Sequence, residues 1–281
     1  MTARLLIRCP DQPGIIANVT HFLFGLGANV TNLDQHSNGE RFFMRLEFDE
    51  SQLRCSPAEL DQCFAVEVAR RYGMGWHFSH SEQRPKVAIL VSKYDHALLE
   101  LLWKHARGEL PCTITQVISN HVDLQKAVEN FGLPYKHTQG LNKTEAEAQI
   151  LAWLDTENRA TDLVVLARYM QILSPEFVAH YPQRIINIHH SFLPAFAGAN
   201  PYKQAFDKGV KIIGATAHYV TSELDEGPII DQAVARVSHR FEVQDMLRLG
   251  RDLERQVLAR AVQWHLEDRI MIDGHRSVVF D

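Results

Sequence analysis

Along the chain, apolar and polar positions fall into two rhythms that meet near residue 81. Before it, short alternating runs dominate. "RLLIRC" reads as a strand, and "PGIIANVTHFLFGLG" as a helix with apolar residues three and four apart. Pro13 suits the first helical position, where its missing N–H would be unpaired anyway, and Gly27 suits the close. "NVTNLDQHS" and "RFFMRLEFD" follow as two strands turning at Asn38-Gly39. "SPAELDQCFAVEVARRYG" forms a second helix, with Ser56 and Glu59 spaced as a capping box. "MGWHFSHS" supplies a last strand. The order β-α-β-β-α-β is a ferredoxin-like split unit over residues 1–80.

Residues 81–85, "SEQRP", lack periodicity and carry a proline, which marks a linker. From residue 86 the strands become continuous apolar runs, as expected where both faces are covered. "KVAILVSK", "TITQVIS", "TDLVVLAR" and "RIINIHH" alternate with helical segments. That alternation predicts a doubly wound, mostly parallel sheet over residues 86–281. "KIIGATAHYVTSELDEGPIIDQAVARV" adds two strands flanking a loop. A long one-sided helix, "FEVQDMLRLGRDLERQVLARAVQWHLED", closes the domain, its charges read as a solvated surface.

Composition narrows the function classes. A net charge of −5 with interleaved signs argues against nucleic acid as the main partner. The four cysteines, Cys9, Cys55, Cys63 and Cys112, form no CxxC pair, which suits reduced thiols better than disulfides or zinc. No apolar run is long enough to span a bilayer, and the apolar stretch before Pro10 is short for a signal peptide. The expectation is a soluble cytoplasmic protein.

Chemistry concentrates at strand ends. "NIHHSFLPAFAGANPY" places Asn187 and His189 two apart on a strand, projecting to one side. An amide can stabilise an oxyanion while an imidazole moves a proton, and Asp225 from another loop can orient the imidazole or a water. Equally, polar side chains at strand ends satisfy loose backbone groups, and from these residues alone both readings stand. A metal site of His189, His190 and His218 is disfavoured, because adjacent strand residues point to opposite faces and no HExxH or Cys/His spacing occurs. "VSKYDHALLELL" after the first strand of the second domain has no glycine, which argues against a dinucleotide fingerprint.

"NIHHSFLPAFAGANPYKQAFDKGVKIIGATAHYVTSELDEGPII" resembles the folate-dependent formyltransferase and deformylase superfamily, whose N-I-H-x-S-x-L-P-x-F-x-G pattern precedes G-x-T-x-H and D-x-G. The resemblance implies Asn187, His189 and Asp225 as a catalytic trio. It implies that Met170, Gln171, Ile172 and Leu173 hold the pterin by their backbone, with Thr216 and His218 supporting the substrate site. Ala197 departs from the pattern, standing where Lys is common. "DQPGIIANVTHFLFGLGANVTNLDQHS" resembles ACT domains, which pair with one another and often bind amino acids near that turn. This implies a homo-oligomer, with Gly14 and Asn29 as an effector site or, equally, a domain for assembly alone. The two domains in this order resemble folate-dependent deformylases. Hydrolysis of 10-formyltetrahydrofolate to formate and tetrahydrofolate is therefore expected, within one-carbon and purine metabolism, with no cofactor or metal. The alternatives are formyl transfer to an amine and a non-enzymatic sensor. Lys93, Tyr94 and Asp95 stand where phosphate-binding transferases carry a Gly-Ser-Asn cradle, which favours hydrolysis.

Overall fold

A computed structural model describes residues 2–80, 83–156, 160–195 and 201–281. The predicted linker lies partly outside the described residues, at Ser81 and Glu82, and Ala197 lies wholly outside them. The chain forms two units: Met1–Arg84 with Asp268–Asp273 and Val278–Asp281, and Pro85–Glu267 with Gly274–Ser277.

Unit 1 contains β1 (Thr2–Pro10), α1 (Ile15–Gly25), β2 (Asn29–Ser37), β3 (Arg41–Asp49), α2 (Pro57–Phe64), α3 (Arg70–Tyr72) and β4 (Gly75–His80). A π-helical turn, Ala65–Ala69, runs from α2 into α3. The strands make an antiparallel sheet in the order β2-β3-β1-β4, as the ferredoxin-like pattern requires. Alternation decides its faces: Ala3, Leu5, Ile7 and Cys9 of β1 join Phe42, Met44, Leu46 and Phe48 of β3 in one core with the helices. The Ser56–Glu59 capping box forms. Pro13, however, lies before α1. Gly14 caps that helix at φ 90°, a left-handed conformation that suits glycine, and the Asn18 amide donates to its carbonyl at 2.8 Å.

The predicted second domain extends to residue 281, whereas residues 268–273 and 278–281 belong to unit 1. Two short strands, β12 (Ile270–Asp273) and β13 (Arg276–Val279), follow the long helix. Met271 and Phe280 cover Leu6 and Phe43 on the sheet face away from the helices. The Asp268 carbonyl accepts from buried Arg45. Burial of these apolar side chains draws the segment to unit 1.

Unit 2 runs through β5 (Lys86–Val91), α4 (His96–Ala106), β6 (Thr113–Ser119), α5 (Gln125–Glu129), β7 (Tyr135–His137), α6 (Lys143–Leu154) and β8 (Leu163–Leu166). It continues with α7 (Pro175–His180), β9 (Ile185–His189), α8 (Pro201–Asp207), β10 (Ile212–Tyr219), β11 (Ile229–Arg236) and α9 (Val243–Leu266). The sheet order is β11-β10-β9-β8-β5-β6-β7. Strands β9, β8, β5, β6 and β7 are parallel, while β10 runs antiparallel to both neighbours. Ala88, Leu90, Val164, Leu166 and Ile185 pack against Ile150, Leu154 and Phe177 of α6 and α7. The chain leaves β5 for β6 and β7 on one side and returns to β8 on the other. That reversal makes the carboxyl ends of β5 and β8 the switch point, where open α/β sheets take ligands.

Candidate active site

Two strands and one loop assemble the site. In the antiparallel pairing of β9 with β10, His218 lies opposite Asn187, and Thr216 opposite His189. Directly paired residues share a face, so the two-residue spacing in N-x-H and in T-x-H puts all four side chains together. The loop between β10 and β11 then brings Asp225 back over them. Its backbone is left-handed, with φ 58°. Gly227 explains the D-x-G spacing: a Cβ there would lie 1.7 Å from the Tyr219 carbonyl oxygen. Only glycine lets the loop press this closely onto β10 and hold Asp225 inward.

Each polar group has a defined state. The His218 Nδ1 hydrogen is donated to the Tyr219 carbonyl at 2.9 Å. Burial holds its pKa below the ordinary histidine value, so the ring is neutral and Nε2 is an acceptor. The Asn187 amide donates to that nitrogen at 3.1 Å, which fixes the carboxamide and leaves its second N–H for a ligand. His189 Nδ1 lies 3.2 Å from Asp225 Oδ2, and His218 Nε2 lies 3.6 Å from Oδ1. The hydrogen bond from His189 outweighs burial and keeps the Asp225 carboxyl below its usual range, hence ionised. On the other side of the His189 ring, Nε2 is buried and has no hydrogen-bond partner among the described residues.

Thr216 supports the site from its buried side. It is fully buried. Its hydroxyl donates to the Ser191 carbonyl at 2.9 Å and accepts from the Leu193 N–H and the Gln232 amide, each at 3.0 Å. With its capacity spent, Thr216 anchors the loop after β9. His218 likewise orients Asn187. His190 lies just past the end of β9, so strand alternation no longer applies and its ring sits beside His189, with centroids 5.3 Å apart. No three His, Cys, Asp or Glu side chains are placed to hold a metal among the described residues.

The Met170–Leu173 segment leaves the sheet next to the trio, because Leu166 of β8 pairs with Asn187. Ser92, at the end of β5, accepts from the Met170 N–H at 3.0 Å. No backbone hydrogen bond involves Gln171, Ile172 or Leu173 among the described residues, so their amides and carbonyls are open to a ligand's polar edge. Met170 and Ile172 are exposed, while Leu173 packs into the core. In unit 1, Gly14 and Asn29 do not converge. They flank opposite ends of α1, and Asn29 pairs with Asp49 at the end of the sheet where β1 begins.

Sequence patterning missed a buried carboxylate, Glu254. It belongs to the helix whose charges were expected on the surface, yet it is 1% exposed. The Tyr202 hydroxyl, His96 Nε2 and the Arg168 guanidinium surround it. Its spacing gives a signal, since it lies four residues from both Gly250 and Leu258, on the buried face of α9.

This architecture is shared. The formyl transferase family matches residues 85–262, and the ACT domain family residues 3–54. A Bacillus subtilis (strain 168) protein named formyltetrahydrofolate deformylase is 48% identical over 281 residues, 99% of this chain and 93% of that protein. The crystal structure of a formyltetrahydrofolate deformylase from Pseudomonas syringae pv. tomato is 44% identical, covers 100% of this chain and 94% of its own, and superposes with a TM-score of 0.95. Glycinamide ribonucleotide transformylase 1 from Symbiobacterium toebii is similar over 73% of this chain and 97% of its own, at 32% identity and a TM-score of 0.66. With nearly half of its residues identical to these deformylases along the whole chain, the chain belongs to the formyltetrahydrofolate deformylase family.

Proposed function

We propose that the protein hydrolyses 10-formyltetrahydrofolate to formate and tetrahydrofolate, with Asn187, His189 and Asp225 as catalytic residues. One observation carries the assignment. His189 is backed by an ionised carboxylate at Nδ1, while buried Nε2 is left without a partner among the described residues. A histidine held this way exchanges protons at one atom only.

The pterin edge binds the open backbone of Gln171–Leu173, with the formyl group over Asn187. Water attacks the formyl carbon and gives a proton to His189 Nε2. The free N–H of Asn187 holds the developing oxyanion, and Asp225 stabilises the imidazolium. The same proton then passes to N10 of the folate as the carbon–nitrogen bond breaks. Tetrahydrofolate departs with that proton, and the carbon keeps the new hydroxyl as formic acid, which ionises to formate by releasing the second proton of water to solvent. Every bond-making and proton-transfer step uses side chains and water, and none calls on a cofactor.

Among the described residues no helix is long and apolar enough to cross a membrane. The free cysteines support a reducing cytoplasm. The ACT-like unit supports self-association. An amino-acid effector bound by both Gly14 and Asn29 then takes one residue from each of two copies, since the two lie at opposite ends of α1.

Incubation with 10-formyltetrahydrofolate alone, with no amine, tests the function by formate release. His189→Ala should lower turnover roughly 100- to 1,000-fold, the usual cost of losing one transition-state contact, with substrate affinity little changed. A folded His189→Ala protein with near-normal turnover would overturn the assignment.

A further inference from the structure

The switch point of unit 2 is filled by charge. Glu254 Oε1 accepts from the Tyr202 hydroxyl at 2.7 Å, and Oε2 lies 2.8 Å from His96 Nε2 and 3.4 Å from Arg168 Nε. The Arg168 guanidinium in turn lies over the Tyr94 ring, 5.2 Å from its centroid. Tyr94 and His96 follow β5, Arg168 follows β8, and the two exits are joined by the Ser92 N–H donating to the Arg168 carbonyl at 3.3 Å. This cluster reaches the trio through packed rings: Tyr202 lies 6.0 Å from His190, and His190 lies 5.3 Å from His189.

The cluster costs stability. Arg168 sits at φ 62°, a strained backbone conformation for a non-glycine residue. Its Nη1 is buried without a hydrogen-bond partner among the described residues. Gly250 must stay bare, since a Cβ there would lie 2.0 Å from the Tyr202 hydroxyl. Apolar side chains of similar volume would fill such a space at least as stably as a buried ion pair. Stability is therefore a poor reason for this arrangement, and its position offers a better one.

The Symbiobacterium toebii transformylase shares this domain's fold. A transformylase passes its group to an acceptor larger than water, and on a shared fold side chains beside the site can set that difference. We infer that the Glu254–His96–Arg168–Tyr202 cluster is the specificity determinant that restricts the acceptor to water. This rests on the hydrolase assignment above. The cluster closes the switch-point approach with matched charges that cannot be displaced piecemeal, because removing one partner strands another in the interior. Water needs only a gap of about one probe sphere. Either acceptor breaks the same carbon–N10 bond and sends one proton to N10. Water forms a carbon–oxygen bond and an amine a carbon–nitrogen bond, with no redox change.

Product partition tests this in the full chain. Wild type, His96→Ala, Glu254→Gln and Tyr202→Phe are each given 10-formyltetrahydrofolate with hydroxylamine or glycinamide, and formate and formylated amine are both measured. Partition follows from one bound substrate, so a general loss of stability or turnover leaves the ratio unmoved. Wild type should give formate. His96→Ala, which opens the crevice, should raise the share of formylated amine by at least about tenfold, the low end of what one methylene-sized obstruction contributes to discrimination. Glu254→Gln and Tyr202→Phe keep the volume and should raise it less. Should His96→Ala fail to fold, a raised share in either of these two carries the inference. Wild-type partition in every folded variant would overturn it. Absence of formate from wild type without amine would instead overturn the hydrolase assignment, and the inference with it.

Discussion

The helix-covered core of unit 1 and the β9–β10 edge of unit 2 use the same strand geometry to opposite ends. In β1, alternate positions are Ala3, Leu5, Ile7 and Cys9, all buried and apolar. In β9 and β10 the inward positions are Asn187, His189, Thr216 and His218. Period two sets where side chains meet in both cases. What they do on meeting depends on the residue. The apolar set gains by exclusion of water, in any order that fills the volume. The polar set holds only if its donors find acceptors, and among the described residues an Asn187 N–H and His189 Nε2 are left over for a ligand.

The contrast can be broken from either side. The largest effect is expected in unit 1, where Phe64 touches Phe22, Trp76 and Phe78 at ring-centroid distances of 5.4–5.8 Å. Phe64→Ala should cost about 3–5 kcal/mol of stability, read by denaturant unfolding, with KM unchanged in protein that is still folded. Gly227→Ala does the reverse. Its Cβ cannot fit against Tyr219, Asp225 is pushed away, and turnover should fall roughly 100-fold or more, while the melting of unit 1 is unchanged. Turnover close to wild type would show that Asp225 need not be held.

Acid sharpens the comparison. Burial, with the nearby Arg168 charge, lowers the His190 pKa from 6.5 to about 3. The unfolded chain takes up this proton first, so the stability from burying neutral His190 is full above pH 6.5. It is lost as pH falls towards 3. His190→Gln should flatten the melting-temperature profile across that window, and an unchanged slope would remove His190 as its source. The smallest effect belongs to a cap. Ser56→Ala loses the hydroxyl that accepts from the Glu59 N–H and should cost about 1 kcal/mol, seen as a small fall in melting temperature.

How much was legible follows from the same contrast. Strands β1, β3, β5 and β8 announce themselves because their apolar runs are dense, and the Ser56 box because its chemistry is local. Strand β7 has three residues and β12 and β13 four each, too few for a period to show. The grouping of Asn187, His189 and Asp225 was legible because Asn187 and His189 share a strand and all three fall on a family pattern. The hydrogen bonds of Thr216 were not legible because its partners, Ser191 and Leu193 in one loop and Gln232 in β11, come from two distant places in the sequence. Glu254 was missed for the same reason: a glutamate on a charged helix looks solvated until His96, Arg168 and Tyr202 arrive from elsewhere.

The return of residues 268–273 and 278–281 to unit 1 has a consequence for biosynthesis. Unit 1 is translated first, yet Leu6 and Phe43 wait for Met271 and Phe280, which the ribosome adds only after all of β5 to α9. Domains usually fold as units, the N-terminal one first. Here the first unit to emerge carries an uncovered apolar patch until nearly all of the second has been made. A product released early, even one holding Asn187, His189 and Asp225, leaves that patch bare for chaperones and proteases to find.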